Sequence, residues 1–269
     1  MKVKEKSVLL LCCFVLLTGC FANPQREETL TLIQEKAVTF ADGQSADLWR
    51  PELFGRSIYK LSDGTTLLTI HDTAGPADFY VGGVESLDDL CNTAQKAIQG
   101  YYKEQGLLYD IEVELNKAYE EYVSCKSSGK PFSGLLVSQD IMPTASNEDI
   151  ICFLTSVTLP IGGRMAQEIR LGAVFNRETG ELMNSWDLFN LPKENPQKKL
   201  LSLSRITDEA LLKEMQSALK PEYIALFPDN LEITFPRGTL PSQEHSFSIG
   251  FDYDDLQGLI QSWAVPQAS

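Results

Sequence analysis

The first twenty residues constrain everything that follows them. Lys2, Lys4 and Lys6 form a positive start, and an uncharged, apolar run extends from Ser7 to Leu16. That run has the length of a signal-peptide core and is too short to span a bilayer by itself. Leu17-Thr18-Gly19-Cys20 comes next: a branched aliphatic, a small residue, a glycine and a cysteine. The four residues resemble the lipobox of bacterial lipoprotein signals. The resemblance implies that the Cys20 thiol is alkylated with diacylglycerol, that the chain is cut before it, and that the mature protein is held at the membrane by lipid. The competing readings are an ordinary secretory peptide cut a few residues later and an uncleaved anchor. On the lipobox reading, 1–19 is a signal peptide, 20–28 a polar tether, and the rest a domain on the extracytoplasmic side of the cell membrane.

The chain that remains is long enough for one large or two small domains, and its 43% hydrophobic and 22% charged residues suit a packed core. Residues 1–19 hold three lysines and one glutamate, so their loss takes the net charge from −14 to −16. Such a surface lacks the excess cations that phosphate binding needs, which argues against nucleic acid. It suits a cationic partner, or serves only solubility. Cys12 and Cys13 leave with the signal, and Cys20 is committed to lipid. Cys91, Cys125 and Cys152 remain. They allow one disulfide, with Cys91–Cys125 on neighbouring predicted helices, or three buried thiols. No CxxC and no Cys/His ligand spacing occurs, so neither a metal nor a cofactor is expected.

The hydrophobic pattern changes period along the chain. Residues 29–84 read as short strands, with a hairpin from Ser57–Leu61 and Thr65–Ile70 around Asp63-Gly64. Ser86 reads as a helix N-cap, and Leu90, Ala94, Ile98 and Tyr101 then recur at helical spacing up to Gly106. Leu108, Ile111, Leu115, Ala118, Tyr119 and Tyr122 mark a second helix, although Ile111, Val113 and Leu115 also fit a strand start. Period two returns at Phe132–Met142 and Ile150–Leu159, with 143–149 as a polar loop, and at Glu168–Phe175 and Glu181–Met183 around Asn176–Gly180. Residues 191–199 read as a mobile loop. Thr207-Asp208-Glu209 starts a helix that Pro221 stops. Asn230–Phe235 and Phe247–Phe251 read as the last strands, and a short helix is expected after Asp254. Strands and helices alternate without a βαβ rhythm, which predicts an α+β fold, mainly antiparallel, with 85–269 as one α+β domain.

Catalytic chemistry finds little purchase. The two histidines, His71 and His245, read as surface residues at a strand end and in a polar turn, and no GxSxG elbow is present. Asp252, Asp254 and Asp255 cluster, but Leu256 and Gln257 stand where a calcium loop needs a ligand and a glycine. No P-loop, dinucleotide fingerprint or zincin helix occurs. No catalytic residue is assigned, and Cys20 is the one site residue.

The second half does carry a likeness. Ala173–Gly180, then Trp186-Asp187-Leu188-Phe189, a helix, Tyr223–Phe227, Asn230–Phe235 and Ser248–Leu256 resemble the extracytoplasmic domain of RsiV-type anti-sigma factors, a module also attached to some peptidoglycan deacetylases. In the RsiV case the resemblance implies binding of lysozyme, a cationic protein. A lipobox replaces the membrane-spanning helix, and the metal-binding His/Asp motifs of the deacetylases are missing, so signalling and hydrolysis do not carry over. The expectation is a non-enzymatic binding module for a cell-envelope component or a cationic protein such as lysozyme. The alternative is a cell-wall hydrolase whose carboxylates the sequence does not single out. The anchor makes a direct prediction: Cys20→Ala abolishes labelling by a fatty-acid analogue and leaves unprocessed precursor. Label retained on that variant contradicts it.

Overall fold

The structure, a computed structural model, describes residues 29–51, 56–72, 90–161, 164–190 and 196–266. Cys20, the tether and Ser86 lie outside them. Among the described residues, eleven strands form two sheets. The larger holds β1 (Leu30–Thr39), β2 (Ser45–Pro51), β3 (Arg56–Leu61), β4 (Thr66–Asp72), β5 (Leu135–Ser146), β6 (Ile150–Ile161), β7 (Arg164–Asn176) and β8 (Leu182–Met183), side by side in chain order. The smaller has the order β11 (Phe247–Asp252), β10 (Asn230–Phe235), β9 (Ile224–Leu226). Every pairing is antiparallel except β4 with β5, where Ile70 faces Val137 in parallel. A parallel pair needs a long crossover, and this one carries α1 (Asn92–Gln105) and α2 (Ile111–Ser127). The fold is α+β and mainly antiparallel.

Each helix covers a different part of that sheet. On α1 the residues Ala94, Ile98 and Tyr102 are fully buried while Lys96 and Lys103 are exposed, so the helix packs by the expected face. Its inward aromatic is Tyr102, set edge-on to Phe153 and Phe175, and Tyr101 lies half-buried beside it. Asp110 caps α2, its carboxylate accepting from the Glu112 and Val113 amides. Leu115, Ala118, Tyr119 and Tyr122 then pack on β2, β3 and β4 through Leu48, Tyr59, Leu67 and Leu68.

The far face of β6 and β7 is covered by the small sheet. Ile150, Cys152 and Val174 meet Ile224, Leu226, Leu231 and Ile233, sealed by α3 (Pro196–Leu201) and α4 (Glu209–Ala218). Ile151, Phe153, Ala173 and Phe175 point the other way, to α1. Hence Ile150 to Val157 of β6 are all buried.

Several sequence expectations change. The loop expected over 143–149 is mostly strand: β5 continues to Ser146 through an irregularity between Pro143 and Ala145, where proline's missing donor is tolerated. Asn147 makes the turn, accepting from the Asp149 and Ile150 amides. Within the loop expected at 191–199, Pro196 to Lys199 belong to α3, because proline starts the helix and Leu200 and Leu201 anchor it in the core. The helix expected after Asp254 is a series of turns through Gly258 (φ +79°), ending in a short 3-10 turn at Ser262–Ala264. Cys91 precedes α1 as its N-cap. It forms no disulfide with Cys125: the helices serve separate cores, and both thiols are free.

A hairpin tip is tied to α2: Asp42 accepts from the Gln44 amide (3.1 Å) and from the Tyr119 hydroxyl (2.5 Å), and Phe40 stacks on Tyr119 with ring centroids 3.8 Å apart. The Tyr119 bond, then the Gln44 amide, hold Asp42 below its ordinary pKa. Burial, then Asp42, push Tyr119 up to about 12. A lowered acid stabilises the fold above its unfolded pKa, near 3.9, and that share is lost as pH falls; a raised phenol stabilises below about 10, and that share is lost as pH rises toward 12. Tyr119→Phe is therefore expected to lower the urea midpoint most between about pH 5 and 9. The gap from the parent should narrow toward pH 3 and above pH 10. A constant gap removes this bond as its cause.

Candidate functional site

A concavity near chemistry-bearing side chains arises where β8 stops. Asn176 ends β7 and folds the turn, its side chain accepting from the Glu178 and Thr179 amides. Gly180 follows at φ +71°, so close to α1 that a Cβ would meet the Ala94 carbonyl at 2.4 Å. The chain then returns along β7, where β8 pairs through Leu182↔Phe175 and Met183↔Val174. Asn184 breaks the ladder: its side chain accepts from the Trp186 amide and opens a 3-10 turn over Ser185–Leu188. That turn is held from behind by the C-terminal segment, where the Gln261 N–H donates to Leu188 O (2.8 Å) and the Asn190 N–H to Leu259 O (2.6 Å).

A cleft of about 510 Å³ occupies the space β8 leaves beside β7, within the usual range for small-ligand sites. Leu171, Gly172 and Ala173 line one side and Leu182 to Ser185 the other, with Tyr101, Pro221 and Glu222 completing it. Gly172 has no alternative there: a Cβ would meet Ile224 O at 2.0 Å and the Ala225 Cα at 2.9 Å. Tyr101 stands edge-on to Phe175, centroids 5.3 Å apart. Burial raises its phenol pKa, and the Glu222 carboxylate adds to the rise. Glu222 is itself 41% exposed, with Lys220 at 3.9 Å, a pairing too long and too wet to cancel its charge. The lining thus offers apolar surface, one phenol, one amide, one hydroxyl and one carboxylate. It holds no nucleophile beside a base.

A second constellation lies farther along β7. Glu168 is 1% exposed at the side chain, and its carboxylate meets His245 Nδ1 at 3.1 Å and accepts from the Ser246 amide at 2.9 Å. His245 is thus pinned, a partnership that the sequence expectation of a plain surface histidine lacked. A carboxylate behind an imidazole is half of a triad. The neighbouring hydroxyl is turned away, however, since Ser246 Oγ donates to Gln167 O (2.9 Å). The pair fastens the β10–β11 connection onto β7, as does the Arg237 amide on Glu168 O (3.0 Å).

The other sequence candidates stay apart. His71 is exposed near the end of β4. Asp252, Asp254 and Asp255 are exposed at the end of β11 and in the turn after it, where the Asp255 amide donates to Asp252 O. Among the described residues no three His, Cys, Asp or Glu side chains are placed to share a metal ion. Cys152 is fully buried, which pushes its thiol up to about 12.

Among solved structures, a protein from Pseudomonas aeruginosa PAO1 is similar at 13% identity and a TM-score of 0.37, over 90% of this chain and 98% of that one. A protein from Bacteroides fragilis NCTC 9343 is similar at 12% identity and a TM-score of 0.37, over 88% of this chain and 94% of that one. Both are DUF3298 family proteins. No family model matches the chain, nor does any curated protein.

The cleft predicts a steric result. Gly172→Ala forces a methyl into the β9 backbone and is expected to lower unfolding free energy by at least about 2 kcal/mol, as overpacking does. Gly250→Ala, whose nearest neighbour would lie at 3.9 Å, should stay within about 1 kcal/mol. Equal urea midpoints for the two variants refute the close approach.

Proposed function

We propose that the chain is a lipid-anchored, extracytoplasmic binding module without enzymatic activity, and that its ligand is a cell-envelope component or a cationic protein such as lysozyme. The observation that carries this reading is the chemistry of the cleft. Glycoside hydrolysis through an acid and a nucleophile or base needs two carboxyl groups about 5–9.5 Å apart. The cleft lining has one, Glu222, set among apolar walls. Binding needs no more than that: apolar surface to desolvate, and a few polar groups to orient what enters.

The charge agrees. With residues 1–19 removed the protein carries −16, and complementary fields raise association rates and favour cationic partners. The motif likeness to the RsiV-type domain, centred on 173–260, adds lysozyme as the first partner to try. Lipid at Cys20 would hold such a module at the cell surface.

Titration calorimetry on the processed protein in a non-ionic detergent tests the reading. Lysozyme is expected to give heat that persists above physiological salt, where the Debye length falls below about 8 Å. A neutral protein of similar size should give none. No heat from lysozyme at either salt rejects a cationic protein as partner, and heat only at low salt reduces the interaction to nonspecific attraction.

A further inference from the structure

The cleft is more than a hole, because one of its sides is an unfinished sheet. The Asn176 N–H of β7 donates to Glu181 O (2.9 Å), which sets the alternation along the strand: even-numbered residues turn their N–H and C=O away from β6. Val174, the next even residue, pairs with Met183. The ladder ends there. Gly172 and Arg170 follow with the same orientation, and among the described residues neither backbone has a partner on that side. Two residues farther, Glu168 O accepts from the Arg237 amide, which closes the edge. The open stretch thus presents two N–H and two C=O groups, bounded by paired backbone at both ends.

We propose that this edge receives an extended segment of a cationic partner protein, which adds to the large sheet in the place β8 vacates. The inference rests on the binding-module reading above and names how the partner is held. Strand addition takes affinity from main-chain hydrogen bonds and specificity from pockets for alternate side chains. Both are laid out here. Gly172 of that edge lines the cleft, and Leu171, Leu182 and Tyr101 offer apolar contact. An incoming lysine or arginine would meet the half-exposed Glu222 carboxylate. The 3-10 turn that ends β8 is fixed by Gln261 and Asn190, so the gap exists before a ligand arrives. A preformed gap spares the ordering that weakens binding by flexible sites.

The probe is the pentapeptide acetyl-Lys-Val-Lys-Val-Lys-amide, with a fully N-methylated analogue that keeps its charge and side chains but has no amide hydrogens. Hydrogen exchange at single-residue resolution is followed on the processed, lipidated protein in non-ionic detergent. The pentapeptide is expected to slow exchange at the Gly172 and Arg170 amides at least tenfold, and the methylated analogue to leave both unchanged. Glu222→Lys should weaken pentapeptide binding at least fivefold while the free variant keeps the parent's exchange pattern. Pentapeptide binding without protection at Gly172, equal binding by the methylated analogue, or no binding at millimolar peptide each overturns strand addition. Lysozyme titrated into the same sample separates this inference from its parent. Heat with Gly172 unprotected leaves the binding module standing and rejects the edge; pentapeptide protection without lysozyme heat supports the edge and rejects lysozyme as partner.

Discussion

The fold depends on covering β6 and β7 on both faces. A strand whose side chains are apolar in both directions cannot sit at a water-facing sheet surface, and Ile150 to Val157 leave no polar face at all: even Thr155 and Ser156 are buried. Phe153 and Phe175 on one side call for α1, while Ile150, Cys152 and Val174 on the other call for the small sheet. The three layers follow from that demand. So does Gly172, since the small sheet comes close only if β7 yields a side chain where β9 crosses it. The N-terminal strands are under less pressure, with Leu48, Leu67 and Leu68 packed beneath the single helix α2.

The same demand explains which parts of the chain were legible. Amphipathic segments announced themselves: α1 through Ala94 and Ile98, α2 through Leu115, Ala118 and Tyr122, and the Asp63-Gly64 hairpin through a turn that needs positive φ. Segments whose placement is decided by distant partners did not. Pro143 to Ser146 look like a loop by composition, yet pairing with Ile151, Cys152 and Phe153 makes them strand. Pro196 to Leu201 look like a lysine-bearing loop until the core claims Leu200 and Leu201. After Asp254 the local signal for a helix was real, but Leu256 and Ile260 are buried through turns instead.

The cleft was legible only in fragments. The turn at Asn176–Gly180 could be read, but the end of β8 could not, because Leu182 and Met183 continue the strand and only the capping capacity of Asn184 hints at the break. Glu168 and His245 lie 77 residues apart, and no local pattern links them. A glutamate at an inward position of an alternating strand was the one available signal, since a buried carboxylate requires partners. Site-forming information in this chain is thus stored in where strands stop and what meets them.

The parallel junction of β4 and β5 divides the molecule in time as well as in space. β1 to β4 are joined by short connections and can pair as soon as they are made, whereas β5 must wait for residues 73–134 before Leu135 meets Leu68. Closing so long a loop is entropically unfavourable and slow relative to hairpin formation. Until it closes, β4 is a bare edge rich in Leu67, Leu68 and Ile70, the kind of surface on which nascent chains stick to one another. In the folded chain α2, held to the Asp42 tip through Tyr119, covers the apolar face of that meander, while β5 supplies the missing edge partner.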